Sequence, residues 1–155
     1  MKNNALIKYN NEIYRILDIE DSFAFIINCN KISMPRRASL DTISDSVTCS
    51  EDVLESFEDI NEMSMISRKC AYERFTVISG ILPFITDKNK RCSVINQVTE
   101  EKGVSRQTVI NYLWMYLVYQ NISAIAEGAV IKNDANIKGI RNIQQTASRF
   151  ASLLT

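Results

Sequence analysis

Residues 93–120 read SVINQVTEEKGVSRQTVINYLWMYLVYQ, and their spacing predicts two helices joined by a tight turn. Val94, Ile95 and Val98 give the first helix an inner face, which Val109, Tyr112, Leu113 and Tyr116 continue in the second. Gly103 falls where the turn calls for a left-handed backbone, Val104 is the apolar plug behind it, and Ser105 is placed to cap the second helix. Arg106, Gln107, Ile110 and Asn111 are then left to project outward near the start of that helix, with Thr108 among them. By type these suit a DNA groove: Arg can donate two hydrogen bonds to guanine, and Gln or Asn can pair bidentately with adenine. Ser105 and the helix N-terminus favour a phosphate, and Lys88, Lys90, Arg91 and Lys102 flank the unit where they could hold the DNA backbone. The spacing equally fits a plain helical corner in a bundle. Thr99 stands where such DNA-binding units prefer a small residue, and Glu100 and Glu101 put negative charge beside the groove face. Trp114 and Tyr119 are expected to pack in the core or on a partner rather than on bases.

Upstream, Cys70, Ala71, Phe75, Ile78, Leu82 and Ile85 trace one apolar stripe of a helix that begins near Ser67, and Gly80 and Pro83 bend or stop it. Thr86–Arg91 (TDKNKR) reads as a loop. Further back, Val53, Leu54, Phe57, Ile60 and Met63 fall at helical spacing, which predicts an acidic amphipathic helix over 51–66. The first forty residues read as strands: ALIKY, EIYRILDI and FAFIINC are rich in β-branched and aromatic residues. They are interrupted at Asn10-Asn11 and at Glu20-Asp21-Ser22, where hairpin turns are expected. Met34-Pro35-Arg36-Arg37 ends this region, because proline stops a strand ladder and paired arginines favour solvent. Downstream of Asn121, Gly128 and Gly139 interrupt the pattern. Ile137, Ile140, Ile143, Ala147, Phe150, Ala151 and Leu154 then give a last amphipathic helix that needs a partner.

The composition narrows the function classes. With 155 residues, 46% hydrophobic and 23% charged, the chain can bury roughly two-thirds of its unfolded surface without staples. No apolar run reaches the roughly 18 residues of a membrane span, and the start MKNNALIKYNN has no signal-peptide core, so the reading is soluble and cytoplasmic with no membrane partner. Histidine is absent, which removes His-based acid–base catalysis and every mixed His metal site. Cys29, Cys49, Cys70 and Cys92 are too far apart for a zinc ribbon and read as reduced, mostly buried thiols; no cofactor is implied. Charge is segregated although the total is zero: residues 41–62 hold eight acidic groups and no basic one, whereas 63–155 hold twelve basic against six acidic. A local excess of Lys and Arg can attract phosphate despite overall neutrality, because salt screens fields beyond roughly 10 Å at 0.1 M.

A short strand-rich N-terminus, an intervening segment, the helix AYERFTVISGIL and then EEKGVSRQTVINYLWMYL together resemble the N-terminal region of Mu-type transposases. GVSRQTVINYLWMY carries most of the likeness, which spans about residues 5–128. The resemblance implies a helix-turn-helix that binds transposon-end DNA ahead of an integrase-like catalytic domain. The family tends to carry arginines along the second helix, and here none follows Arg106. A two-metal strand-transfer site gathers three carboxylates on a separate domain, and nothing after Asn121 could supply it, so no catalytic activity is expected of these residues.

The expectation is therefore an α+β protein: a β-meander over 1–40, an acidic connector over 41–66, a helical helix-turn-helix domain over 67–128, and a tail with an amphipathic helix over 129–155. Its expected function is sequence-specific double-stranded DNA binding as the end-recognition module of a transposase or recombinase. Homo-oligomers or other transposition proteins are candidate partners. The alternative is a protein–protein interaction module with no DNA binding.

Overall fold

The computed structural model describes residues 1–126. The amphipathic helix expected in the tail lies outside them. The fold is α+β, with a five-stranded antiparallel sheet followed by three helices.

The two expected hairpins are present. Strand β1 (Leu6–Tyr9) turns through Asn10 and Asn11, both at positive φ, into β2 (Glu12–Glu20), and β3 (Phe23–Asn28) follows across Asp21-Ser22. Two consecutive left-handed residues give the hairpin the turn whose twist matches its strands, and Asn tolerates that conformation better than most residues do. Between β2 and β3, Ile16 faces Ile26 and Asp18 faces Phe25, so Leu17 is an extra residue and forms a bulge. The bulge breaks the alternation of a strand too apolar for a simple period of two.

Two strands depart from the sequence reading. Arg36–Ser39 form β4, paired with β3, although the proline and two arginines were expected to end the sheet. Pro35 precedes the first paired residue and leaves the ladder whole, and β4 is an edge strand, where charged side chains are favourable. Val47–Cys49, inside the acidic connector, form β5 on the opposite edge against β1, giving the order β4-β3-β2-β1-β5. Residues 40–46 link the two edges, and the fully buried Ile43 from that link joins Ile7, Tyr14, Ile16, Ala24, Ile26 and Ala38 in a small core on one face of the sheet.

The acidic helix expected over 51–66 does not form. Short 3-10 turns at Glu51–Val53 and Ile60–Glu62 are separated by extended backbone. A helix there would align Glu51 with Glu55, Glu55 with Asp59, and Glu58 with Glu62, each a destabilising like-charge pair at i,i+4. The extended path instead lets Phe57 reach the core, its ring edge-on to Tyr119 at 4.9 Å.

The helices pack on the other face of the sheet, which presents Leu6, Arg15, Ile27 and Cys29. Helix α1 (Met65–Ser79) is capped by Ser64 and ends at Gly80, and Phe75 from its predicted stripe meets Tyr116 at 5.3 Å. Pro83 sits in a 3-10 turn at Leu82–Phe84. Helix α2 (Lys88–Lys102) and helix α3 (Arg106–Tyr119) follow, and a last 3-10 turn at Ile122–Ile125 packs on α1 and α3. Helix α3 is the axis of the main core: Val109, Tyr112, Leu113, Trp114, Met115, Leu117 and Val118 are all buried. Trp114 donates its indole N–H to the Asn28 carbonyl at 2.8 Å, tying α3 to the end of β3. All four cysteines are free. Cys29 is buried, but Cys49, Cys70 and Cys92 are half-buried, less covered than expected. Among the described residues no helix is long and apolar enough to cross a membrane, and no three Cys, Asp or Glu side chains converge as a metal site.

Candidate nucleic-acid interface

The segment Thr86–Arg91 is not a loop beyond its first two residues. The Asp87 carboxylate accepts the Lys90 amide at 3.1 Å and starts α2 at Lys88, three residues before the expected loop ends. Lys88 and Lys90 are exposed on the first turn of the helix. Arg91 turns inward: it is 5% exposed, donates to the Ile85 carbonyl at 2.6 Å, and burial lowers its pKa. Its expected contact with a DNA backbone is corrected by this burial, because the guanidinium secures the preceding turn instead.

The junction between α2 and α3 matches the sequence reading closely. Gly103 adopts φ +65° and its amide closes on the Thr99 carbonyl, while Val104 packs against the core. The Ser105 hydroxyl accepts the Thr108 amide at 3.1 Å and lies 2.8 Å from the Thr108 hydroxyl. Past this cap, Arg106 and Gln107 are exposed and Ile110 is half-buried. Arg106 donates to Asn96 Oδ1 at 2.6 Å, so α2 holds the guanidinium at the corner. Sequence reasoning missed Asn96, because a contact ten residues away across a turn depends on how the helices cross.

Two expected reading residues are withdrawn from any groove. Thr108 is 4% exposed and committed to the cap. Asn111 is 1% exposed, and its Oδ1 accepts from Gln107 Nε2 at 2.9 Å. Past its first turn, the side of α3 expected to face DNA is covered by the rest of the protein, with Ile110 half-buried and Asn111 buried. The signal was legible in WMYLVY: a helix apolar around its whole circumference is a buried helix. The exposed side chains at the corner are thus Lys102, Ser105, Arg106 and Gln107, with Glu100 and Glu101 exposed beside them. Lys88 stands at the far end of α2, about 21 Å away at 1.5 Å per residue.

No protein-family model matches the chain, and no curated protein matches it in sequence.

Proposed function

We propose that the chain binds double-stranded DNA as the end-recognition module of a Mu-type transposase, meeting the duplex with the corner between α2 and α3. The observation that carries the reading is the exposure of Lys102, Ser105, Arg106 and Gln107 together at that corner, with Arg106 preset by Asn96. Helix-turn-helix readers touch base edges with the first residues of the second helix, and of these Arg106 and Gln107 are exposed here. Contact is end-on, because α3 beyond Ile110 belongs to the core. The reading gives residues 1–126 no bond-breaking step and places the module in the cytoplasm.

Selection from random duplexes, followed by salt titration of the best one, tests the proposal. An enriched site that Arg106→Ala binds about 1–3 kcal/mol more weakly, with relaxed preference at one position, supports it. Equal affinity of wild type and Arg106→Ala for the selected site overturns it.

A second reading is an interaction module, favoured by the exposed apolar groups of α1: Met65 and Ile66 are 83% and 81% exposed, and Tyr72 is 49% exposed. Its occupant would be a second copy of this chain. A monomer by sedimentation equilibrium at high concentration, unchanged by Ile66→Asp, removes that reading.

A further inference from the structure

Two reading side chains supply little specificity on their own. Each good bidentate contact gives about 1–3 kcal/mol of discrimination, whereas specific binding exceeds non-specific binding by roughly 4–10 kcal/mol. The corner therefore needs backbone contacts that fix the duplex, and three of the four flanking basic residues are poorly placed to help: Arg91 is buried, and Lys88 and Lys90 stand at the far end of α2.

We infer that Arg36 and Arg37, on the edge strand β4, form a second site that binds the phosphates of duplex DNA. Both are exposed, and their register neighbours lie on opposite faces of the sheet: Arg36 is opposite Ile26, whereas Arg37 is opposite Phe25. The two side chains thus leave the strand on opposite faces, Arg36 reaching across β3 to β2 and Arg37 onto β3. Each guanidinium rests on an aromatic ring, Arg36 at 5.4 Å from the centre of Tyr14 and Arg37 at 3.7 Å from that of Phe23. A stacked guanidinium is held in place while its N–H rim stays available for two parallel bonds to a phosphate.

Through the register Asp18 and Glu20 share the Arg37 face, yet neither is within ion-pair distance of it. Among the described residues no ion pair engages either arginine. The carboxylate beside Tyr14 is occupied elsewhere: Glu12 takes Lys31 at 3.0 Å, the Tyr14 hydroxyl at 2.9 Å and Asn28 Nδ2 at 2.7 Å. Because the guanidiniums lie on opposite faces, each engages a phosphate of its own. The competing account is that the arginines only keep the edge from pairing with another strand, which requires charge but no ligand.

This inference rests on the DNA-binding reading, and one experiment separates their failures. Duplex affinity and its salt slope are measured for wild type, R36Q/R37Q, R36K/R37K and R106A, with melting curves to show that each is folded. The expected result for R36Q/R37Q is a loss of roughly tenfold or more at 0.1 M salt, on selected and unrelated duplexes alike, with a slope shallower by about 1.8. R36K/R37K should keep the wild-type slope. If R36Q/R37Q binds like wild type while R106A is weakened, the arginine site is overturned and the corner stands. Should R106A match wild type while R36Q/R37Q is weakened, the arginine site stands and the corner falls. Absence of binding by wild type at about 50 mM salt overturns both. Equal losses for R36Q/R37Q and R36K/R37K, with unchanged slopes, assign the arginines to the edge alone and overturn the inference.

Discussion

At Arg15 a full positive charge lies at 1% exposure, in the middle of β2. Its Nε donates to the Val118 carbonyl at 2.6 Å, near the C-terminus of α3 where the helix dipole favours a cation. One Nη donates to the Asn4 carbonyl at 2.7 Å, and both Nη atoms clasp Glu51 at 2.7 and 2.9 Å. Arg15→Ala should therefore cost about 2–4 kcal/mol in urea unfolding, because it orphans the Asn4 and Val118 carbonyls at roughly 1–3 kcal/mol each, while the exposed Glu51 returns to water. Glu51, whose side chain is 69% exposed, should cost far less when changed to Gln. A change under 1 kcal/mol for Arg15→Ala, roughly one neutral hydrogen bond, would show that the network contributes little. At Glu12 the Lys31 ammonium first, and then the Tyr14 hydroxyl, hold the carboxyl below its ordinary value of 4.5. Such a group stabilises fully above its unfolded value, and that contribution is lost as the pH falls through the lower folded value. Wild type should then lose stability relative to Glu12→Gln as pH drops below that ordinary value of 4.5, and parallel profiles of urea midpoint against pH would contradict this. Asn111→Ala should lower stability by about 1 kcal/mol and leave base preference untouched, the reverse of what a groove-reading residue does.

The elements show where sequence patterns speak plainly and where they do not. Turn chemistry was legible: Asn10-Asn11 and Gly103 occupy the left-handed positions their residue types suggest. Gly103→Ala should cost about 1–2 kcal/mol through backbone strain, because the added methyl meets nothing within 4 Å. Asn11→Gly should stabilise the first hairpin modestly, by about 0.5 kcal/mol, and a lowered thermal midpoint would count against the turn described. The strand type of the first thirty residues was legible for the same reason, and so was the inner face of the two helices around Gly103. The acidic connector was not. Its apolar spacing favoured a helix, but repulsion among carboxylates and the pull of the core on Phe57 decided otherwise. β4 and β5 are only four and three residues long, and edge strands tolerate proline and charge, so their sequences carry little strand signal. The candidate site was half legible. Its exposed tip followed from the cap and the turn, but the burial of Thr108 and Asn111 depends on which element covers α3, and no local pattern specifies that.

For the whole molecule, the sheet and the helices share one core. Trp114 is the only tryptophan and bonds directly across their boundary, so its fluorescence reports whether the two parts are docked. Urea transitions followed by that fluorescence and by far-ultraviolet dichroism should coincide, as two-state unfolding requires. An earlier loss of the fluorescence change would mean that the sheet survives undocked. Burial also pushes the Cys29 thiol up to about 12, which leaves it protonated and shielded at neutral pH. Alkylation of the folded protein should mark Cys49, Cys70 and Cys92 well before Cys29, and mass spectrometry of partially labelled protein checks the order. The reach of Arg15 bears on biosynthesis as well. Its acceptor at Val118 lies 103 residues further along the chain, so a ribosome delivers the arginine long before the carbonyl that receives it. Until α3 emerges, the arginine has Glu51 and Asn4 but no acceptor for its Nε, and the face of the sheet that meets the helices is uncovered. Folding is therefore expected to wait for α3, and translation arrested before that point should leave a chain that proteases still cut.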